Sequence, residues 1–237
     1  MVREVTGLLL RAPDARRRPL VLMQHCGDRW GIPGESAGQA AVGAGRVRVR
    51  GTLVHRFGDD AGSCTTVVAD VAEPLPVRCA PAELAWVPEG DVTGLNLRPA
   101  VAAGWPGLQA ARITLVVDAA NVVGSRPDGW WKDRAGAAER LQREVAAAGP
   151  GVLPLPQGGF GWVDSPVLVL EGAASRAPNV PGVEVVRARG AADDTIIDIV
   201  TAPGDWLVVT ADRPLRARLP PNVHPLSPSA FLSWVAT

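Results

Sequence analysis

Three segments in the second half of the chain place aspartates at or just after apolar runs. They are Asp118 in ITLVVDAANVVGSRP, Asp193 and Asp194 in GAADDTIIDIV, and Asp212 in WLVVTADRPLRAR. If those runs are neighbouring parallel strands, the carboxylates converge at one sheet edge, where a divalent cation is the natural counter-charge. Oxygen ligands select hard ions, so Mg²⁺ or Mn²⁺ is expected, and such an ion activates water for attack on a phosphate ester. Asp118 is the first candidate ligand, Asp193 and Asp212 complete the set, and Asp194 is a further candidate. Asn121 would orient Asp118 or contact phosphate through its side-chain amide, and Thr210 would support Asp212 by a hydrogen bond. The alternatives stay open. Aspartates after strands also cap helices and turns, one of Asp193 and Asp194 fits a cap, and Asp198 fits a solvated helix face.

Basic residues flank these positions. Arg126, Lys132 and Arg134 surround the loop after the first aspartate, and Arg213, Arg216 and Arg218 follow the last, so each can meet a phosphate or serve as ordinary surface charge. Trp130 and Trp131, in GSRPDGWWKDR, suit stacking on unpaired bases and suit core packing equally well. The formal net charge is +0, so any nucleic-acid binding must be local rather than written into the bulk composition. Lys132 is the only lysine, an arginine bias that GC-rich coding also supplies. His25, His55 and His224 lack ligand spacing, and Cys26, Cys64 and Cys79 are too scattered for a metal or redox motif, so reduced structural thiols are expected. Gly158, Gly159 and Gly161, in PQGGFGW, lack the lysine and hydroxyl of a phosphate-binding loop and read as a loop only.

The elements that must position these groups follow from the same pattern. The 237 residues, 47% hydrophobic and 20% charged, suit one large or two small domains with packed cores. No window nears the roughly 18 apolar residues of a membrane span, and the first residues hold too short an apolar run for a secretory signal, so a soluble, cytoplasmic protein is expected. The interruption GWPGLQAA, at 104–111, sets a boundary between domains 1–108 and 109–237. Upstream, GLLLRA, PLVLMQH, RVRVRGTLVHRF and CTTVVADVAEP read as strands, and LNLRPAVAAGW offers a late helix, which gives an α+β domain. Downstream, strands at 113–117, 167–170, 183–187 and 206–210 alternate with helices at 133–148 and 193–200. That order predicts an α/β domain with a parallel sheet, whose ligands gather at the carboxyl ends of its strands. Asp133 is the expected N-cap of the first helix, Gly149-Pro150 its stop, and AFLSWVAT a final docked helical turn.

The first half resembles a Nudix domain, through its early strand pair, DRWGIPGES and ELAWVPEGDVTGLNLRP, over residues 1–105. The resemblance implies a mixed sheet and a helix of pattern R-E-x-x-E-E whose glutamates bind magnesium against a diphosphate. Here the pattern is degenerate: no Asp or Glu occurs between Glu35 and Asp59. One register sets Ala40, Val49, Thr52 and Leu53 at the glutamate positions, and the next sets Ala41, Arg50, Leu53 and Val54 there. Gly38, Gly43 and Gly45 also argue against a helix. Glu35, Glu73 and Glu89 as an unconventional metal site is the alternative, and Trp30 fits core or boundary packing.

The second half, through LVVDAANVVGSRPDGWW, AADDTIID and VVTADRPLRARL, looks like a PIN-like ribonuclease domain of the NYN type over residues 113–218, with Pro150 to Pro166 contributing nothing to the likeness. The resemblance implies a Mg²⁺- or Mn²⁺-dependent ribonuclease with Asp118, Asp193, Asp212 and Asn121 at its centre and RNA, single-stranded by the tryptophans, as partner. The alternatives are a nucleoside diphosphate pyrophosphohydrolase working through the Nudix-like half, and a non-catalytic module that binds nucleotide or RNA.

Overall fold

The computed structural model describes residues 4–34, 47–57, 62–76 and 83–236. Two compact units emerge, one of Met1–Ala111 with Pro150–Trp162 and one of Arg112–Gly149 with Val163–Thr237.

The first unit is built on a mixed six-stranded sheet. Strand β1 (Glu4–Pro13) pairs antiparallel with β2 (Pro19–Cys26) and parallel with β5 (Gly62–Asp70). Strand β4 (Arg48–Phe57) closes one side against β5, with a bulge between Val49 and Gly51. Strands β3 (Arg29–Gly31) and β6 (Glu83–Pro88) both pair with β2. The period of two decides the packing. Leu9, Val21, Met23 and Val68 enter one apolar cluster while their neighbours Leu10, Leu22 and Ala69 enter another, so both sheet faces are buried.

Helix α1 (Pro99–Leu108) runs through Gly104 and Pro106, where the sequence suggested a break. Packing outweighs the proline: Val101, Trp105 and Leu108 are all buried in the first cluster, and Gln109 N–H closes on the Trp105 carbonyl at 2.8 Å. The stretch after residue 150 also departs from the expected loop. Strands β8 (Gly151–Pro154) and β9 (Phe160–Val163) pair as a hairpin, and Gly158 and Gly159 turn the chain at φ of 94° and 76°, which side chains rarely adopt. Val152, Phe160 and Trp162 complete the core beside Leu9 and Trp105.

Fully buried Asp70 fixes this hairpin to the sheet. Its Oδ2 accepts from Arg50 Nε at 2.7 Å and from Val152 N–H at 2.8 Å, and Arg48 meets its other oxygen. Arg48 in turn donates to the Pro150 carbonyl at 3.0 Å. Trp30 serves packing, stacked on His25 with ring centroids 4.6 Å apart. Cys26 and Cys64 are free thiols, whereas Cys79 lies outside the described residues.

The second unit carries a parallel sheet. Its order is β11 (Glu184–Arg187), β10 (Val167–Leu170), β7 (Ala111–Asp118), β12 (Trp206–Val209) and β13 (His224–Leu226), every neighbour parallel. Proline-rich RLPPNVHPLSPS thus supplies a strand, and Pro225 is tolerated because β13 is an edge of this order. Helix α2 (Ala119–Gly124) leaves β7 directly, and α3 (Arg134–Ala148) starts at the predicted cap, Asp133 accepting from Gly136 N–H. Helices α4 (Ala192–Thr201) and α5 (Arg213–Arg218) pack Ile196, Val200 and Leu215 on Val116, Val169 and Val208. The chain ends in α6 (Pro228–Ala236), two turns rather than one, with Phe231, Trp234 and Val235 buried.

Candidate active site

The order in which strands are added reverses beside β7. The chain leaves β7 for β10 on one side and returns through β12 on the other, which makes the carboxyl ends of β7 and β12 the place where a parallel sheet gathers a ligand. Register puts Val117 opposite Val209, which sets Asp118 and Thr210 side by side just beyond the ladder. Strand β10 places Val169 beside Asp118, so Glu171, the first residue after β10, emerges at the same edge.

Hydrogen bonds lock this edge. Asp118 is 5% exposed, and its Oδ1 accepts from Asn121 N–H at 3.0 Å while its Oδ2 accepts from the Thr210 hydroxyl at 3.0 Å. The Thr210 oxygen accepts in turn from Asp212 N–H at 3.1 Å, so its support passes to Asp212 through the backbone and to Asp118 through the carboxylate. Asn121 spends its side-chain carbonyl on Ala211 N–H at 2.8 Å, which ties the two loops together. Asp212 caps α5 by accepting from Leu215 N–H, and Glu171 accepts from Ala192 N–H at 2.7 Å at the start of α4.

Asp118, Asn121, Ser125, Glu171, Asp193 and Asp212 line one open cleft of about 520 Å³. The structure therefore brings together Asp118, Asn121, Asp193 and Asp212 as the sequence suggested, and adds Glu171, which the sequence reading missed. Its signal was the one that found Asp118, an acid directly after an apolar strand. Asp194 takes another place: exposed, outside the cleft lining, it accepts from Arg218 at 2.6 Å. Successive helical residues are rotated by roughly 100°, so only one of the pair faces the sheet edge. Asp198 is exposed, as a solvated face requires.

The phosphate partners diverge. Arg126 forms a two-pronged pair with Glu144, at 2.9 and 2.5 Å, so its guanidinium is already engaged. Lys132, Arg134, Arg213 and Arg216 are exposed. Trp131 is 59% exposed, while Trp130 is partly buried edge-on to it.

The electrostatics are those of crowded like charges. Burial pushes the Asp118 carboxyl above the ordinary range against the pull of its two hydrogen bonds, and Asp193 and Glu171 push the same way. Burial also raises Asp193, followed by repulsion from Asp212, with Arg218 opposing. Among the described residues, no three His, Cys, Asp or Glu side chains stand close enough to enclose an ion unaided. The donor set still suits Mg²⁺ or Mn²⁺, because such ions commonly keep several waters and take only one or two carboxylates directly. A cation would also relieve the repulsion that raises Asp118 and Asp193.

A raised folded-state pKa has a testable sign. Between the unfolded and folded pKa of Asp118 the native state holds the proton and the unfolded state does not, so stability falls as pH rises through that window. The penalty persists at neutral pH. Without added metal, Asp118→Asn should therefore melt at or above the wild-type temperature at pH 7. The gap should narrow as acid protonates Asp118, as calorimetry across pH will show.

The described members of the unconventional metal site, Glu73 and Glu89, take separate surroundings. Glu89 is buried against Arg11, Glu73 is exposed, and Glu35 lies outside the described residues, as do residues 36–46 of the acid-free stretch.

No protein-family model matches the chain. It is 39% identical over 137 residues to a Mycobacterium tuberculosis protein named "Putative 8-oxo-dGTP diphosphatase 3", a match covering 46% of this chain and 63% of that relative. Because 46% of 237 residues is fewer than 137, the relative carries positions in that span with no counterpart here. Among solved structures, a Nudix hydrolase from M. smegmatis, RenU, is 36% identical, with a TM-score of 0.35, over 44% of this chain and 82% of that one. Rae1 (YacP) from Bacillus subtilis is 18% identical, with a TM-score of 0.36, over 52% of this chain and 74% of that one. The similarity to the mycobacterial diphosphatase thus spans less than half of this chain and less than two thirds of that relative. No helix among the described residues is long and apolar enough to cross a membrane.

Proposed function

We propose that this protein is a metal-dependent hydrolase of phosphate esters whose chemistry sits in the carboxylate cleft of the second unit, with RNA as substrate and the Nudix-like unit binding nucleotide or RNA. The observation that carries the reading is Asp118, buried at the carboxyl end of a central parallel strand and fixed at both oxygens, with Glu171, Asp193 and Asp212 facing the same cleft. Asp118 and its neighbours would hold Mg²⁺ or Mn²⁺, which supplies an activated water and neutralises charge on the phosphate. Thr210 and the Asn121 amide keep Asp118 in one orientation, and the Asn121 Nδ2 group remains as a donor toward phosphate. Arg213 and Arg216, on the helix capped by Asp212, offer charge to the flanking backbone. The test is cleavage of single-stranded RNA with Mg²⁺ or Mn²⁺. No cleavage with either ion would defeat the reading.

A second reading draws on the similarity to the mycobacterial diphosphatase, which supports a nucleotide pyrophosphohydrolase directly. The sequence opposes a conventional version, since no carboxylate lies between Glu35 and Asp59 to bind the metal. A panel of nucleoside di- and triphosphates, oxidised guanine nucleotides included, separates the two. Expected is no release of monophosphate by the Asp118→Asn protein. Release undiminished in that variant would move the chemistry to the first unit.

A further inference from the structure

A second, smaller pocket adjoins the cleft. Ala119, Ala120, Val123, Trp130, Ala138 and Ala174 wall it, and it shares Ala120 and Glu171 with the cleft. Its surface is mainly apolar, yet two charged groups reach it. Arg134 sits with Cζ 5.3 Å from the Trp130 ring centroid, and Glu171 has one oxygen on Ala192 N–H while the other is available. At the rim, Gly172 adopts φ of 51° with open space where a Cβ would stand.

These walls select a flat group. A phosphate would face apolar carbons and the Glu171 carboxylate, and a sugar would lose hydration against alanine methyls without enough donors to replace it. A nucleobase satisfies both features: one face stacks on the wall that the Trp130 indole and the Arg134 guanidinium form together, and an amino or ring N–H edge donates to Glu171. Because the pocket opens into the cleft, a base seated here leaves its own phosphate beside Asp118. We propose that this pocket binds one unpaired nucleobase of a single-stranded nucleic acid whose backbone lies in the carboxylate cleft. The assignment rests on the hydrolase reading of that cleft. It also carries a preference, since the carbonyl-flanked edge of uracil meets Glu171 less favourably than the amino edge of adenine.

The test separates base binding from cleavage. Full-length Asp118→Asn protein is titrated with short labelled oligo(A), oligo(U), and oligo(A) carrying abasic positions, by fluorescence anisotropy. Oligo(A) should bind about tenfold more tightly than either comparison. Ala174→Phe, which fills the pocket, and Trp130→Ala, which removes a wall, should each erase that difference while circular dichroism shows the fold retained. Equal binding of intact and abasic oligo(A), or a preference that survives in folded pocket variants, overturns the pocket even if the wild type cleaves RNA. The abasic comparison needs no pocket variant and decides the matter if neither folds. Binding with the expected preference in a protein that never cleaves RNA keeps the pocket and removes the hydrolase reading. Failure to bind any oligonucleotide overturns the pocket.

Discussion

The Asp118→Asn protein is expected to cleave RNA on the order of a thousandfold more slowly than the wild type while remaining folded. Asparagine reproduces the shape of the aspartate and caps a helix equally well, so its carbonyl can keep the bond from Asn121 N–H. Its amide nitrogen faces Thr210, whose hydroxyl can turn from donor to acceptor. The network therefore survives and only the negative charge is lost. On the proposed reading that charge would hold the cation that activates water, so the deficit should appear in the chemical step and in a higher Mn²⁺ requirement, read by single-turnover cleavage across a metal titration. A thermal midpoint at or above wild type rules out unfolding as the cause. Cleavage at the wild-type rate would exclude Asp118 from the mechanism.

Much of the second unit was legible because a doubly covered parallel sheet writes itself as short, nearly continuous apolar runs. LVVD, VLVL and LVV each mark a strand, and acids directly after strands mark the edge where ligands gather. What stayed hidden depends on partners distant in sequence. Glu171 directly follows an apolar strand, yet it joins the site only because β10 pairs with β7. Arg126 looks available until Glu144, 18 residues on, is placed against it. Asp193 and Asp194 are equivalent as letters, and the rotation of α4, set by Ile196 and Val200 in the core, lets Asp193 line the cleft while Asp194 stands outside it, with Arg218 near both. The hairpin of β8 and β9 shows the same limit at the level of fold. Its glycine turn reads as a loop, while Val152, Phe160 and Trp162 declare their core only once Asp70 is seen to accept from Val152 N–H.

Replacing Glu89 by alanine should destabilise the first unit by about 3–5 kcal/mol, a large fraction of the 5–15 kcal/mol typical of a folded protein. Arg11 is fully buried, and Glu89 is 3% exposed. Glu89 accepts from Arg11 Nη2 at 2.5 Å and from Ala110 N–H at 2.9 Å, and Arg11 donates as well to the Leu108 carbonyl at 2.5 Å. The pair clamps the exit of α1 to β1. Truncation leaves a buried guanidinium with only a carbonyl for partner and a buried amide with none, and breaking half of such a pair costs far more than replacing both halves. Arg11→Met combined with Glu89→Leu should therefore recover most of the loss in urea titrations, a non-additivity that a double-mutant cycle measures directly. The same residues decide whether Glu89 has any metal chemistry. A structural clamp predicts that Mg²⁺ leaves the wild-type and double-variant stabilities of this unit equally unaffected. Stabilisation by Mg²⁺ in the wild type alone would restore Glu89 as a ligand.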